Sequence, residues 1–228
     1  MEKLRKAEEL EFLFKDSMRL LVGGFGISGT PLTLLDAVAK FEAGYYEVVS
    51  NNLGDEGKGL YKVFEAGKID KAIGSFFTIN KEAILAWSMG NLKIDLMPQG
   101  TLAEAIRSGG AGIGGFYTPT GVGTRLAEGK EIREIDGVRY LFEKAIKGDI
   151  ALIKAAKADK AGNLVYHTTA RNFNPIMATA AETVIVEVDE IVEIGELNPE
   201  EIITPHIFVD YVIESKYIKQ GGTYVEAK

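Results

Sequence analysis

The sequence predicts an α/β fold, a mostly parallel sheet flanked by helices, with a more β-rich C-terminal portion. Two observations carry this. Between residues 18 and 110 short apolar runs alternate with stretches of helical periodicity, the pattern of a parallel sheet covered on both faces. From residue 138 onward apolar or alternating runs follow one another with little helical periodicity between them. No repeat, low-complexity tract or linker interrupts the 228 residues, so residues 1–228 are read as one domain, long enough for a sizeable core.

The elements follow in order. Leu4 to Phe14 has helical spacing up to the polar Lys15-Asp16-Ser17. MRLLVGGF, ending in glycines, reads as a buried strand. Pro31 then suits a first helical turn, having no N–H to leave unsatisfied, and LTLLDAVAKF continues the helix. YYEVVSNN, IDKAIGSF and LKIDLMP read as further strands; Gly59 to Ala66, KEAILAWSMG and TLAEAIRSGG read as helices. GGAGIGGFYTPTGVG, residues 109–123, reads as a long loop, a place where function concentrates. VRYLFEKAI, DIALIKAAKAD, GNLVYHTT, TVIVEVDEIVE and HIFVDYVI read as strands with hairpin-type connections. Asp159 to Asn163 supplies a turn, and ARNFNPIMATAAE a loop running into a helix.

Composition excludes several functions. Lys and Arg number 26 and Asp and Glu 33, a formal charge of −7, which disfavours general attraction to nucleic acid or anionic membrane. With no cysteine and only His167 and His206, thiolate chemistry, disulfides and a histidine-rich metal site are not expected. The N-terminal stretch mixes charges throughout and no run reaches a membrane span of about 18 apolar residues. A cytoplasmic protein is expected.

Gly24, Gly26 and Gly29 fit G-x-G-x-x-G. A dinucleotide site also needs a carboxylate at the end of the next strand, where this chain has Ser50-Asn51-Asn52. Two readings of the glycines remain: an anion cradle at a helix N-terminus, or a tight turn with close helix–strand packing. Asn51 and Asn52 sit at a strand's carboxyl end, where ligands bind, and either hold a ligand or close an Asx turn.

Several segments together resemble the family I coenzyme A transferases. They are V-G-G-F-x-x-x-G-x-P at Val22–Pro31, S-N-N at Ser50–Asn52, P-Q-G-T at Pro98–Thr101, GGAGIGGFYTPTGVGT at Gly109–Thr124, KADKAGNL at Lys157–Leu164 and ARNFNP at Ala170–Pro175. They cover nearly the whole chain in the family's order, and resemble the A (alpha) subunit of a 3-oxoacid or acetate/acetoacetate CoA-transferase. One departure is Asp16-Ser17, where the family usually has Asp-Gly or Asn-Gly; it bears on turn geometry.

The resemblance implies transfer of CoA from an acyl-CoA to a short-chain carboxylate or 3-oxoacid by a ping-pong route through a glutamyl-CoA thioester. The family's glutamate lies in the B subunit, within Ser-Glu-Asn-Gly. This chain contains no Glu-Asn-Gly; its Glu56-Gly57 and Glu128-Gly129 pairs lack the flanking residues. The resemblance therefore implies half of a shared site, a B-subunit partner in an α2β2 or higher heteromer, coenzyme A as cosubstrate and no tightly bound cofactor. Gln99 matches the family glutamine associated with the thioester oxygen or the substrate carboxylate, Asn51 and Asn52 match substrate-pocket asparagines, and Gly23, Gly24, Phe25, Gly26, Ile27, Ser28 and Gly29 match the CoA-binding segment.

Other residues receive structural readings. Arg171 is expected to pair with an internal acid, although an arginine between asparagines could clamp a carboxylate or phosphate. His167 is read as a polar strand residue, and Trp87 and the methionines as core. The acidic run VEVDEIVE is read as a strand with one solvated face, not a metal site. The alternatives are a phosphosugar isomerase or deaminase of related architecture, or a non-catalytic ligand-sensing domain.

Overall fold

The computed structural model describes residues 3–220 and 223–226; Met1 and Glu2, where the N-terminal stretch begins, lie outside them. The chain opens with a 3₁₀ turn, Ala7–Leu13, where a helix is expected. Its apolar residues Ala7, Leu10 and Leu13 recur every third position, which the three-residue period of a 3₁₀ turn brings onto one edge. Then follow β1 (Arg19–Val22), α1 (Leu32–Val38), β2 (Tyr46–Val49), α2 (Leu60–Glu65), β3 (Ile69–Gly74), α3 (Lys81–Ser88), β4 (Lys93–Leu96) and α4 (Gln99–Gly110). Strand alternating with helix is the predicted pattern. The rest of the chain forms β5 (Gly115–Thr118), β6 (Ile132–Ile135), β7 (Val138–Lys144), β8 (Gly148–Asp159), β9 (Leu164–Val165), α5 (Asn174–Ala178), β10 (Ala181–Val192), β11 (Tyr211–Glu214), β12 (Tyr217–Gln220) and β13 (Thr223–Glu226).

The main sheet runs β11-β10-β8-β1-β2-β3-β4 with all neighbours parallel, and only β9 adds to it antiparallel, along β8. The expected hairpin forms between β8 and β9 through the Asp159–Asn163 turn, but the hairpin connections expected for β10 and β11 are corrected. β8 returns to β10 through α5, a crossover that parallel strands require, and β10 and β11 extend the same sheet. A second correction concerns residues 109–123, which are not all loop. Gly115–Thr118 is a strand pairing with β7 in a small β5-β7-β6 antiparallel sheet.

Two cores sandwich the sheet. On one face Leu20, Val22, Tyr46, Val48, Leu152 and Ile185 pack under α1, α2, α3 and the 3₁₀ turn. On the other, Leu21, Val49, Ile73, Ile153 and Val186 pack against Leu102, Ala105 and Ile106 of α4 and Met177 of α5. Strand residues thus alternate between two buried faces.

A third correction concerns α3. Ala83 is its only buried residue, and Leu85, Trp87 and Met89 are exposed. Besides Ala83, only Ile84 and Ala86 of the helix pack against the core, so one narrow stripe of it meets the sheet. Among the described residues no helix is long and apolar enough to cross a membrane.

Candidate functional site

All strands of the main path run the same way, so the segments after β1, β2, β3 and β4 emerge side by side at the carboxyl edge, where α/β sheets bind ligands. They carry Gly23–Gly29, Asn51–Asn52, Ser75 and Gln99. The sheet thus gathers every predicted site residue along one rim.

The glycine segment is a small hairpin. Phe25 and Ser28 exchange both main-chain hydrogen bonds, 3.0 and 3.2 Å, around Gly26-Ile27. Gly26 has φ +60 and Ile27 does not share its positive φ, the pattern of a II′ turn. Base and tip differ. A Cβ on Gly23 would lie 1.8 Å from Asn174 Oδ1, one on Gly24 2.3 Å from Thr30 Oγ1, and one on Gly29 2.2 Å from the Ala170 carbonyl oxygen; one on Gly26 would meet nothing within 4 Å. The base glycines permit close packing, while the tip is open, with Phe25 51% exposed. The amides of Gly26 and Ile27 have no partner among the described residues.

Asn172 and Asn174 hold that base. Asn172 Oδ1 accepts from the Gly24 N–H (3.1 Å) and its Nδ2 donates to the Ser28 carbonyl (3.0 Å). Asn174 is fully buried; its Oδ1 accepts from the Lys154 N–H (2.9 Å) and its Nδ2 donates to the Gly29 carbonyl (3.0 Å). The asparagines of ARNFNP therefore brace the glycine segment. Arg171 is exposed and has no ion-pair partner among the described residues, which corrects the expected internal pair. It lies on a 3₁₀ turn, Thr168–Arg171, whose first residue has φ +47, an uncommon conformation for a β-branched residue. His167 precedes that turn and is exposed, just past β9. Nearby Tyr166 bonds Thr204 Oγ1 at 2.7 Å, and burial pushes its phenol well above the usual range.

The N-terminus of α1 does not await a ligand anion. The Leu32 and Leu35 amides donate to main-chain oxygens of Thr30 and Pro31. Those of Thr33 and Leu34 donate to Glu187 Oε2, at 2.8 and 3.2 Å. Every amide of the first turn has a partner, and the anion there is the protein's own. Glu187 is fully buried, which corrects the reading of VEVDEIVE as a strand with one solvated face. β10 is covered on both faces from Val184 to Val188 and emerges at either end. Its Oε1 accepts from Ser215 Oγ (2.6 Å) and faces Lys154 Nζ (3.3 Å).

Asn51 and Asn52 are buried. Asn51 Nδ2 donates to Ser75 Oγ (2.8 Å), Asn52 Nδ2 donates to Asn51 Oδ1 (3.1 Å), and Asn52 Oδ1 accepts from the Gly54 N–H (2.7 Å). The last bond is an Asx turn. Contacts knit the rim together. The Ser75 N–H donates to the Asn51 carbonyl and the Met97 N–H to the Gly74 carbonyl, while a Cβ on Gly59 would lie 3.9 Å from Ile27 Cδ1.

Gln99 opens α4 and is exposed. Its side chain makes no hydrogen bond among the described residues, and the first-turn amides of α4 project from the same end. Glu56 and Glu128 are exposed on loops. Among the described residues no group of three or more His, Asp or Glu is placed to hold a metal. A cleft of about 1000 Å³ lies between β4 and the antiparallel lobe, lined by Leu96, Met97, Leu126 and Phe142 among others. A cleft of about 630 Å³, with Arg19, Lys147 and Asp149, opens at the opposite, amino edge.

Fold and site define an α/β protein whose candidate-site loops gather at the carboxyl edge of a parallel sheet. The coenzyme A transferase family model matches residues 5–215, and the chain belongs to that family. Its relatives include the A subunit of a succinyl-CoA:3-ketoacid coenzyme A transferase of Xanthomonas campestris pv. campestris (strain B100), 46% identical, with 90% of this chain and 89% of that protein covered. The alpha subunit of an acetate CoA-transferase of Escherichia coli (strain K12) is 41% identical, with 95% and 99% covered. Among solved structures, an acyl-CoA transferase from E. coli O157:H7, in a thioester complex with CoA, superposes with a TM-score of 0.87 at 21% identity. It covers 97% of this chain, which spans about half (52%) of that longer one.

Proposed function

We propose that this chain, acting as one domain over residues 1–228, is the A half of a heteromeric, cytoplasmic CoA-transferase. It moves CoA from an acyl-CoA to a short-chain carboxylate or 3-oxoacid through a glutamyl-CoA thioester whose glutamate the B subunit supplies. The observation that carries this reading is the rim itself: Gln99, Asn51–Asn52 and the glycine tip share the carboxyl edge, and no Glu-Asn-Gly occurs in the chain. Exposed Leu85, Trp87 and Met89 support a protein partner, since large exposed apolar patches mark interaction sites.

In this reading the incoming glutamate carboxylate attacks the thioester carbonyl, and negative charge builds on its oxygen. The Gln99 amide, uncommitted within the described residues, donates to that oxygen. The carbon–sulfur bond breaks to release CoA as the thiolate, which then attacks the glutamyl carbonyl of the resulting anhydride and expels the donor's carboxylate. The tip Phe25–Ser28 lies along the CoA. Asn51 and Asn52 set the wall of the acyl pocket, because their amides are engaged with each other, Ser75 and Gly54.

The test is acetoacetyl-CoA-to-acetate transfer by the chain alone and co-purified with its B subunit. Activity only in the pair is expected. Transfer at ordinary rates by the isolated chain would overturn the shared site. In the pair, Gln99→Ala should lower kcat by about 10² or more while the assembled mass is unchanged; unchanged turnover would remove Gln99 from its role.

A further inference from the structure

We infer that Glu187 is a positioning residue for the glycine tip, an assignment that rests on the function proposed above. The segment Gly29–Leu34 connects the hairpin to α1, and two fully buried side chains hold its ends from beneath. Asn174 takes the Gly29 carbonyl, and Glu187 takes the Thr33 and Leu34 amides. Lys154 joins the two: its main-chain N–H binds Asn174 and its ammonium faces Glu187. β8 and β10 place Lys154 and Glu187 directly opposite each other, on the face that also carries Leu152 and Ile185.

An apolar pair at such a position is often as stable as a buried ion pair, so fold stability alone does not account for a carboxylate here. Its acceptor geometry does more. One oxygen receives two helix amides, while the other receives Ser215 and faces Lys154. That closes the helix end to ligand anions and leaves, between Gly23 and Leu34, only the amides of Gly26 and Ile27 at the tip and of Gly29 at its base without a partner among the described residues. Glu187 thus fixes where the tip meets the acyl-CoA without touching it.

The experiment uses the purified complex with the B subunit and two double variants. K154M/E187Q keeps an amide oxygen for the Thr33 and Leu34 N–H groups; K154M/E187L removes the acceptor. Each is assayed well below its own melting temperature. The acyl-CoA KM should rise roughly tenfold in K154M/E187L with kcat within about threefold, and should stay within about twofold of wild type in K154M/E187Q. Hydrogen exchange at Phe25–Ser28 should accelerate only in K154M/E187L. If that variant does not assemble, Glu187→Asp, too short to reach both the helix amides and Ser215, carries the same expectation.

A wild-type KM and unchanged tip exchange in the folded acceptor-less variant would overturn the inference, as would equal effects in both double variants. An inactive wild-type complex would count against the proposed function instead. The exchange arm still reads the tip in that case.

Discussion

Two ionic clusters lie on opposite faces of one sheet, and they differ in what they hold. Beneath the glycine loop, Lys154 and Glu187 are buried against α1, with side chains 6% and 1% exposed, and Asp189 bonds Lys154 at 2.6 Å from the rim. On the α4 face, Arg19, Glu47, Lys71 and Asp95 form a ladder across β1, β2, β3 and β4, with contacts of 2.6, 3.5 and 2.7 Å. The same pleat sets both. Residues two apart share a face, so Arg19, Glu47 and Lys71 share theirs with buried Leu21, Val49 and Ile73. The ladder occupies the amino half, beyond the apolar contact with α4, and its side chains remain 23–57% exposed. Similar chemistry is an integral part of the core in one place and a solvated rung in the other.

The contrast predicts a graded series. Removing the buried carboxylate should cost most. Glu187→Ala strands two helix amides and the Ser215 hydroxyl and leaves Lys154 with Asp189 alone, a loss of about 3–5 kcal/mol, read by denaturant titration of the chain. A loss below about 1 kcal/mol would mean the site relaxes around the gap.

Gly29→Ala comes next, because its Cβ would meet the Ala170 carbonyl at a φ of +69. About 2–3 kcal/mol is expected. Gly26→Ala, at the open tip, pays only the left-handed backbone term of about 1–2 kcal/mol. Equal melting temperatures for the two variants would abolish the distinction between base and tip.

How much of this was legible in the sequence follows the same division. The alternation of β1–β4 with α1–α4 was readable because each apolar run is bounded by glycine, proline or polar residues. The rim followed, since parallel strands carry their following loops to one edge. Glu187 was not readable. VEVDEIVE alternates as a half-solvated strand does, and the partner that buries Glu187, the N-terminus of α1, lies about 150 residues earlier in the chain. Trp87 misled for a related reason: apolar spacing marks a helix face without saying whether the core or a partner protein covers it. Arg171 was assigned an acid that the fold does not bring near it, while its neighbouring asparagines had the unassigned task of bracing Gly24, Ser28 and Gly29.

Ser17 offers a smaller effect at the amino end of β1. It stands where the family usually has glycine, and it keeps the turn by adopting φ +64. Its N–H bonds the Gly44 carbonyl while Asp16 Oδ1 accepts from the Gly44 N–H. Ser17→Gly should therefore stabilise the chain by about 1 kcal/mol, the left-handed cost less the entropy glycine adds to the unfolded state. A fall in melting temperature would show that the serine side chain contributes more than its backbone costs.

The ladder should give the smallest response. Lys71→Ala removes one rung that is partly solvated, with an expected cost below about 1 kcal/mol that shrinks further in salt. The hydrogen bond to Asp95, ahead of burial, which opposes it, and attraction to Asp95 and Glu47, raises the Lys71 pKa. A raised folded-state pKa means the charged form is favoured in the native protein, so this contribution is fully present below the ordinary lysine range. It is lost only as pH rises through the folded-state value. Wild type and Lys71→Ala should therefore differ by the same small amount from pH 6 to pH 9 and converge at more alkaline pH. A difference that persisted unchanged above the folded-state value of Lys71 would show that the lysine's charge contributes nothing to the rung.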